Sequence, residues 1–199
     1  PKPEVLVREL GKTYEIMNTN IKRWSVGSPM QAPLDGLLEL IRTHNIKAAE
    51  VEKLIVRVSH QGANTVNNRH MPDICMQHMC AVMLLDSFVT FKSSHDEKRM
   101  RDKKVLEMRS RIELYGDDEL TRVMPSRQGI VELKMKDGRE LKLHIKAVRG
   151  TSDNPMNRRE VDEKSYDLLA PIVGKTRART LCDSIWNMEK GAEIGRAHV

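Results

Sequence analysis

Aromatic side chains are scarce in this chain. Trp, Tyr and Phe together make up 4% of its 199 residues, too few rings to stack a run of bases, which argues against single-stranded nucleic acid as a partner. Long apolar runs are missing as well. The longest, "ICMQHMCAVMLL", is interrupted by Gln77 and His78 and is well short of the roughly 20 residues that a bilayer crossing needs. Cysteine occurs at positions 75, 80 and 182, an odd number with neither a disulfide framework nor zinc spacing. Cys75, Cys80 and Cys182 therefore read as small buried residues in a reducing, cytoplasmic compartment. No P-loop, no G-x-S-x-G and no zinc-protease motif occurs.

What is present is the composition of a globular protein: 39% hydrophobic and 31% charged residues, enough for one sizeable core or a domain with an appendage. The net charge of +6 is dispersed, Lys and Arg alternating with Asp and Glu; only "EKRMRDKK", residues 97–104, forms a basic run. Charge spread in this way suits a small anion as well as a polymer. Neither nucleic acid nor a membrane is expected as a partner.

Residues 4–11 read as a helix end stopped by Gly11, and 13–20 as a strand with Tyr14, Ile16 and Ile21 facing inward. Ser28, Pro29 and Gln31 form the S-P-x-Q signature of a capped helix start. Leu34, Leu37, Leu38 and Ile41 then make an apolar stripe that ends near His44-Asn45. A helical turn leads into a strand in which Leu54, Val56 and Val58 alternate with Lys53, Ile55 and Arg57. The polar stretch 60–72 reads as an extended loop, and 73–86 as a helix apolar nearly all round, hence buried on more than one side. A short surface helix follows, then a strand at "RIELYGD". Val131, Leu133 and Met135, the Asp137-Gly138 turn, and Leu141, Leu143 and Ile145 spell a hairpin with one buried face. Two helices, about 158–170 and 174–189, close the chain, separated by Pro171 and Gly174. The expected fold class is α+β, an antiparallel sheet with helices packed on one face.

Three groups of residues can do chemistry. Lys22 and Arg23 precede a helix N-terminus at which Gly27 admits close approach and Ser28 adds a hydroxyl, an arrangement suited to a carboxylate or phosphate. Mutual capping by Ser28 and Gln31, with Lys22 solvated, explains the same residues. His78, inside the apolar helix, is either an inert core histidine or a buried proton carrier. His60 and His70, with Asn64, Asn67, Asn68 and Arg69, occupy the polar loop, which either borders a site or is merely solvated.

Three stretches in order resemble the MmgE/PrpD family, which includes 2-methylcitrate dehydratase, cis-aconitate decarboxylase and iminodisuccinate epimerase. "IKRWSVGSPMQAPLDGLLELIRTHNIKAAEVEKLIVRV" is similar to its lysine-containing segment with the helix and strand that follow. "MQHMCAVMLLDSFVT" is similar to its A-x-A-L-L-D-G helix. "ELTRVMPSRQGIVELKMKDGRELKLHIKAVRGTSDNPMNRREVDEK" is similar to its hairpin and G-x-x-x-N-P loop. The resemblance implies a helical domain and a smaller α+β lid with the active site in the cleft between them. Residues 1–11 would then end a helical domain absent from this sequence, 12–150 form the lid, and 151–190 return to the helical domain. The stretch 193–199, "EIGRAHV", matches the translation of a sequencing-library adapter, so 191–199 are expected to be a foreign tail.

The resemblance also assigns roles. Lys22 matches the family's active-site lysine. The histidine often found a few residues later is replaced here, where Gly27 and Gln31 stand, and a site-lining tyrosine of the buried helix is replaced by His78. The implied reaction is metal-independent and cofactor-free: proton abstraction α to a carboxylate of a small polycarboxylate, with β-elimination. Lys22 and His78 would be catalytic, and Arg23, Gly27, Ser28 and Gln31 would bind substrate. The complete protein would be a homodimer, and its general base would come from the helical domain. The fragment alone is expected to be inactive. A non-catalytic binding or assembly module on the same fold is the alternative.

Overall fold

The sheet is organised around one strand, β1 (Val51–Ser59), whose Leu54, Val56 and Val58 are almost completely buried. This computed structural model describes residues 3–12 and 14–190; the expected foreign tail lies outside the described residues. In chain order the helices and strands are α1 (Glu4–Val7), α2 (Gln31–His44), β1, α3 (His60–Val66), α4 (Met76–Asp86), α5 (Phe91–Ser94), α6 (Lys103–Arg109), β2 (Ile112–Asp117), α7 (Asp118–Arg122), β3 (Gly129–Met135), β4 (Glu140–Ile145), α8 (Arg158–Val173) and α9 (Lys175–Trp186). They divide into two compact units, residues 1–155 and 156–199.

The sheet order is β2-β1-β3-β4. Leu54 pairs with Leu133 of β3 and with Ile112 of β2, and Val56 with Val131 and Leu114, so apolar rows run across the sheet on one face. The β1–β3 and β3–β4 pairs are antiparallel, but β2 joins β1 in parallel, so the sheet is mixed and not the antiparallel one expected. A parallel neighbour requires a long crossover, and residues 60–111, which carry α3 to α6, provide it. Lys53–Glu113 and Arg57–Glu132 ion pairs occupy the opposite face, with the Arg57 guanidinium over Tyr115. The α+β class holds.

Helix α2 crosses the apolar face of the sheet closely. A Cβ on Gly129 would lie 2.8 Å from Pro33 Cδ, and one on Gly36 would lie 3.0 Å from Val131 Cγ2; glycine at both points sets the helix–sheet distance. Met30, Leu34, Leu37 and Leu38 of this region are buried with Met76, Met79 and Met83 of α4. Helix α4 has no exposed residue before Leu85, which fits its nearly all-round apolar sequence. Burial raises the thiol pKa of Cys80 and keeps it protonated.

Three further expectations are corrected. Residues 14–20 form no strand (Thr13 lies outside the described residues). A 3₁₀ turn, Glu15–Asn18, stands there, and Tyr14, Ile16 and Ile21 are 62%, 72% and 46% exposed. Asn18 and Thr19 close this turn onto Glu15 and Ile16, the local bonding by which such side chains compete with a strand. Residues 60–72 are not an extended loop. Ser59 Oγ accepts the Gly62 N–H at 3.1 Å and starts α3, which buries Ala63 and Val66. Finally, Pro171 lies inside α8, which breaks at Gly174 with φ +82°.

The second unit is a helical hairpin. Asn157 and Glu160 form a reciprocal cap at the start of α8, and Asp162 accepts from Arg179 and from the Trp186 indole at 2.6 and 2.9 Å.

Candidate active site

The segment that carries Lys22 is held at both ends. The Ile21 N–H donates to Gly150 O at 2.8 Å, and the Gly27 N–H donates to Asp73 O at 2.8 Å. Between them Trp24 is 2% exposed and packs edge-on against Phe88. Gln31, the first residue of α2, bonds this segment instead of capping its own helix. Its Oε1 accepts the Trp24 N–H at 3.1 Å, and its Nε2 donates to Trp24 O and Val26 O at 2.9 and 3.2 Å. The expected Ser28–Gln31 capping box is therefore absent: Gly27 is the cap residue of the short Ser28–Met30 turn, with no side-chain bond. A buried, hydrogen-bonded Gln31 outweighs a solvent-facing cap, because it satisfies backbone groups that water cannot reach.

An open cleft of about 610 Å³ lies beside this segment. One wall contains Asn20, Ile21, Lys22, Ser28 and Gln31; the other is formed by Arg127 and by residues 146–153. The register of the hairpin places the second wall. Gly129 pairs with Ile145, so Arg127 and Lys146 leave the same end of the sheet, and the chain then turns through Gly150, with φ +96°. Arg149 Nη1 donates to Asn154 Oδ1 at 2.6 Å, and Asn154 Nδ2 returns to Ala147 O at 3.0 Å, which fixes the turn.

The cleft is electropositive. Among the described residues, Lys22, Arg127, Lys146 and Arg149 line it with one acid, Asp153. Lys22 Nζ lies 3.4 Å from Val26 O of its own loop. Clefts lined by one sign of charge concentrate ligands of the other. Among the described residues no three His, Cys, Asp or Glu side chains converge to hold a metal.

The residues expected from sequence are distributed unevenly. Lys22, Ser28 and Gln31 line the cleft together. The Gly27 amide is already bonded to Asp73, and Gly27 is not part of the lining. Arg23 is not part of the lining; it stacks over Trp24 and lies 3.5 Å from Asp35. There it lines a neighbouring cavity of about 310 Å³ with Arg42 and Arg149. His78 is fully buried in α4, and neither ring nitrogen has a hydrogen-bond partner. Burial, with the nearby Arg109 and Arg99 charges, lowers its pKa to about 4 and keeps it neutral. It is not part of the cleft lining.

The sequence model of the MmgE/PrpD C-terminal domain matches residues 24–190. The chain belongs to the MmgE/PrpD family. That family includes lyases and isomerases. No curated protein matches the chain. Within this MmgE/PrpD domain, sequence reasoning missed Arg127, Lys146 and Arg149. Their only signal was position: each flanks the hairpin or the G-x-x-x-N-P loop, where the sheet ends and a wall begins.

Proposed function

We propose that this MmgE/PrpD domain forms one wall of a polycarboxylate lyase or isomerase site, of the kind found in 2-methylcitrate dehydratase. The observation that carries this reading is the cleft in which Lys22 meets Arg127, Lys146 and Arg149 against one acid. A substrate with several carboxylates presents separated negative charges, and cations on two facing walls match them. Removal of a proton α to one carboxylate places charge on its oxygens as an enediolate, and the β-substituent then departs. Preorganised donors aimed at that charge lower the barrier. Lys22 supplies one, its Nζ lying 3.4 Å from Val26 O. Arg127 and Lys146 of the other wall hold carboxylates that do not react. Asp153 is the one carboxylate among the described residues that line the cleft, so the general base is assigned to the helical domain of the complete protein. His78 has a proton-carrying role in this reading only if α4 opens, since its ring is sealed in the core.

The same scarcity of acids favours the second reading, a binding module that holds a polycarboxylate without transforming it. Kinetics of the complete protein separate the two. If Lys22 stabilises the enediolate, Lys22→Met lowers kcat and kcat/KM together by about a hundredfold. A rise in KM with kcat held makes Lys22 an anchor only. Wild-type kinetics in the variant would remove it from the site.

A further inference from the structure

Asp35 is the one buried Asp or Glu among the described residues, 8% exposed within α2. Its two oxygens reach in different directions. Oδ1 accepts the Trp24 indole N–H at 2.9 Å and lies 3.5 Å from Arg23 Nη1; Oδ2 accepts the backbone N–H of Arg149 at 2.9 Å. Trp24 is two residues from Lys22 and belongs to the segment of the first wall. Arg149 belongs to the second. Those walls also touch through the Ile21 N–H to Gly150 O bond, next to each anchoring point.

We propose that Asp35 is a positioning residue: one carboxylate on a rigid helix fixes both cationic walls of the cleft and so sets the spacing at which they receive an anionic ligand. The proposal rests on the polycarboxylate reading of the cleft. Charge-assisted bonds from an ionised acceptor are shorter and about twice as strong as neutral ones. Residues that lock site loops from a helix hold geometry better than the loops alone do. Burial raises the pKa of Asp35, and the bonds from the Arg149 amide and the Trp24 indole, with the Arg23 and Arg149 charges, oppose that rise; the groups that steady the carboxylate are the ones it holds in place.

The test compares wild type, Asp35→Asn and the milder Trp24→Phe by amide hydrogen exchange and by citrate titration at low salt. In Asp35→Asn, exchange in residues 21–26 and 147–153 should accelerate about tenfold, the loss expected for one charged hydrogen bond, while α4 and β1 stay protected. Citrate affinity should fall by a similar factor. Trp24→Phe should loosen 21–26 and leave 147–153 protected. Unchanged exchange in both loops of Asp35→Asn overturns the proposal, as does loosened exchange with undiminished citrate affinity, which would make Asp35 structural only. A wild-type chain indifferent to citrate removes the site reading itself, and the positioning role with it; exchange still reports separately whether Asp35 holds the loops.

Discussion

At the scale of single residues, Gln31 shows how one side chain can serve two local designs. Its spacing from Ser28 fits a capping box, yet its amide turns outward from the helix to three backbone groups of Trp24 and Val26. Stability distinguishes the two. Gln31→Ala removes the buried partner of the Trp24 N–H and C=O and should destabilise the chain by about 2–3 kcal/mol. Ser28→Ala removes no side-chain cap and should stay within about 0.5 kcal/mol of wild type. Chemical denaturation of both variants measures this, and the reverse order would restore the capping box. The same lesson applies to Lys22. Sequence marked it, but the proposed role rests on Arg127, Lys146 and Arg149 lining the same cleft, which no local pattern connects to it.

At the scale of elements, α4 carries the clearest liability. His78 lies sealed in this helix with both nitrogens unpartnered, and its pKa is lowered to about 4. The unfolded histidine titrates near 6.5, so between these values the unfolded chain binds more protons than the native one. Stability should therefore be complete above about pH 6.5 and decline as pH falls toward 4. His78→Phe should flatten that decline in thermal unfolding curves recorded across the range; an unchanged pH slope would show that other groups govern acid loss. Elements with strong periodicity were legible beforehand: α2 from its leucine stripe, the hairpin from alternation around Asp137-Gly138, and α4 from an apolar surface all round. Residues 14–20 and 60–66 were not. Alternation over a few residues cannot show whether a sheet edge is free to receive them. A Ser59 cap and the burial of Ala63 and Val66 suffice to make α3 from a polar sequence. The parallel placement of β2 was also hidden, since strand direction is decided by the crossover and not by the strand's own residues.

At the scale of the whole molecule, the account makes α2 the common support. It packs on the sheet through Gly36 and Gly129, starts with Gln31 holding the Lys22 segment, and carries Asp35 between the two walls. The fold class was readable from sequence because hydrophobic period reports burial. Only half of the proposed site was, because its second wall is assembled from strand ends and a turn that are distant from Lys22 in sequence. The central claim is that this MmgE/PrpD domain holds a polycarboxylate in that cleft. The most direct measurement is an NMR titration of the isotope-labelled chain with citrate, beside an acetate control. The account predicts shifts gathered at residues 20–22, 126–128 and 146–153, with acetate much weaker because a single carboxylate engages one wall only. Shifts centred on the 97–104 basic run, or equal responses to acetate and citrate, would contradict it.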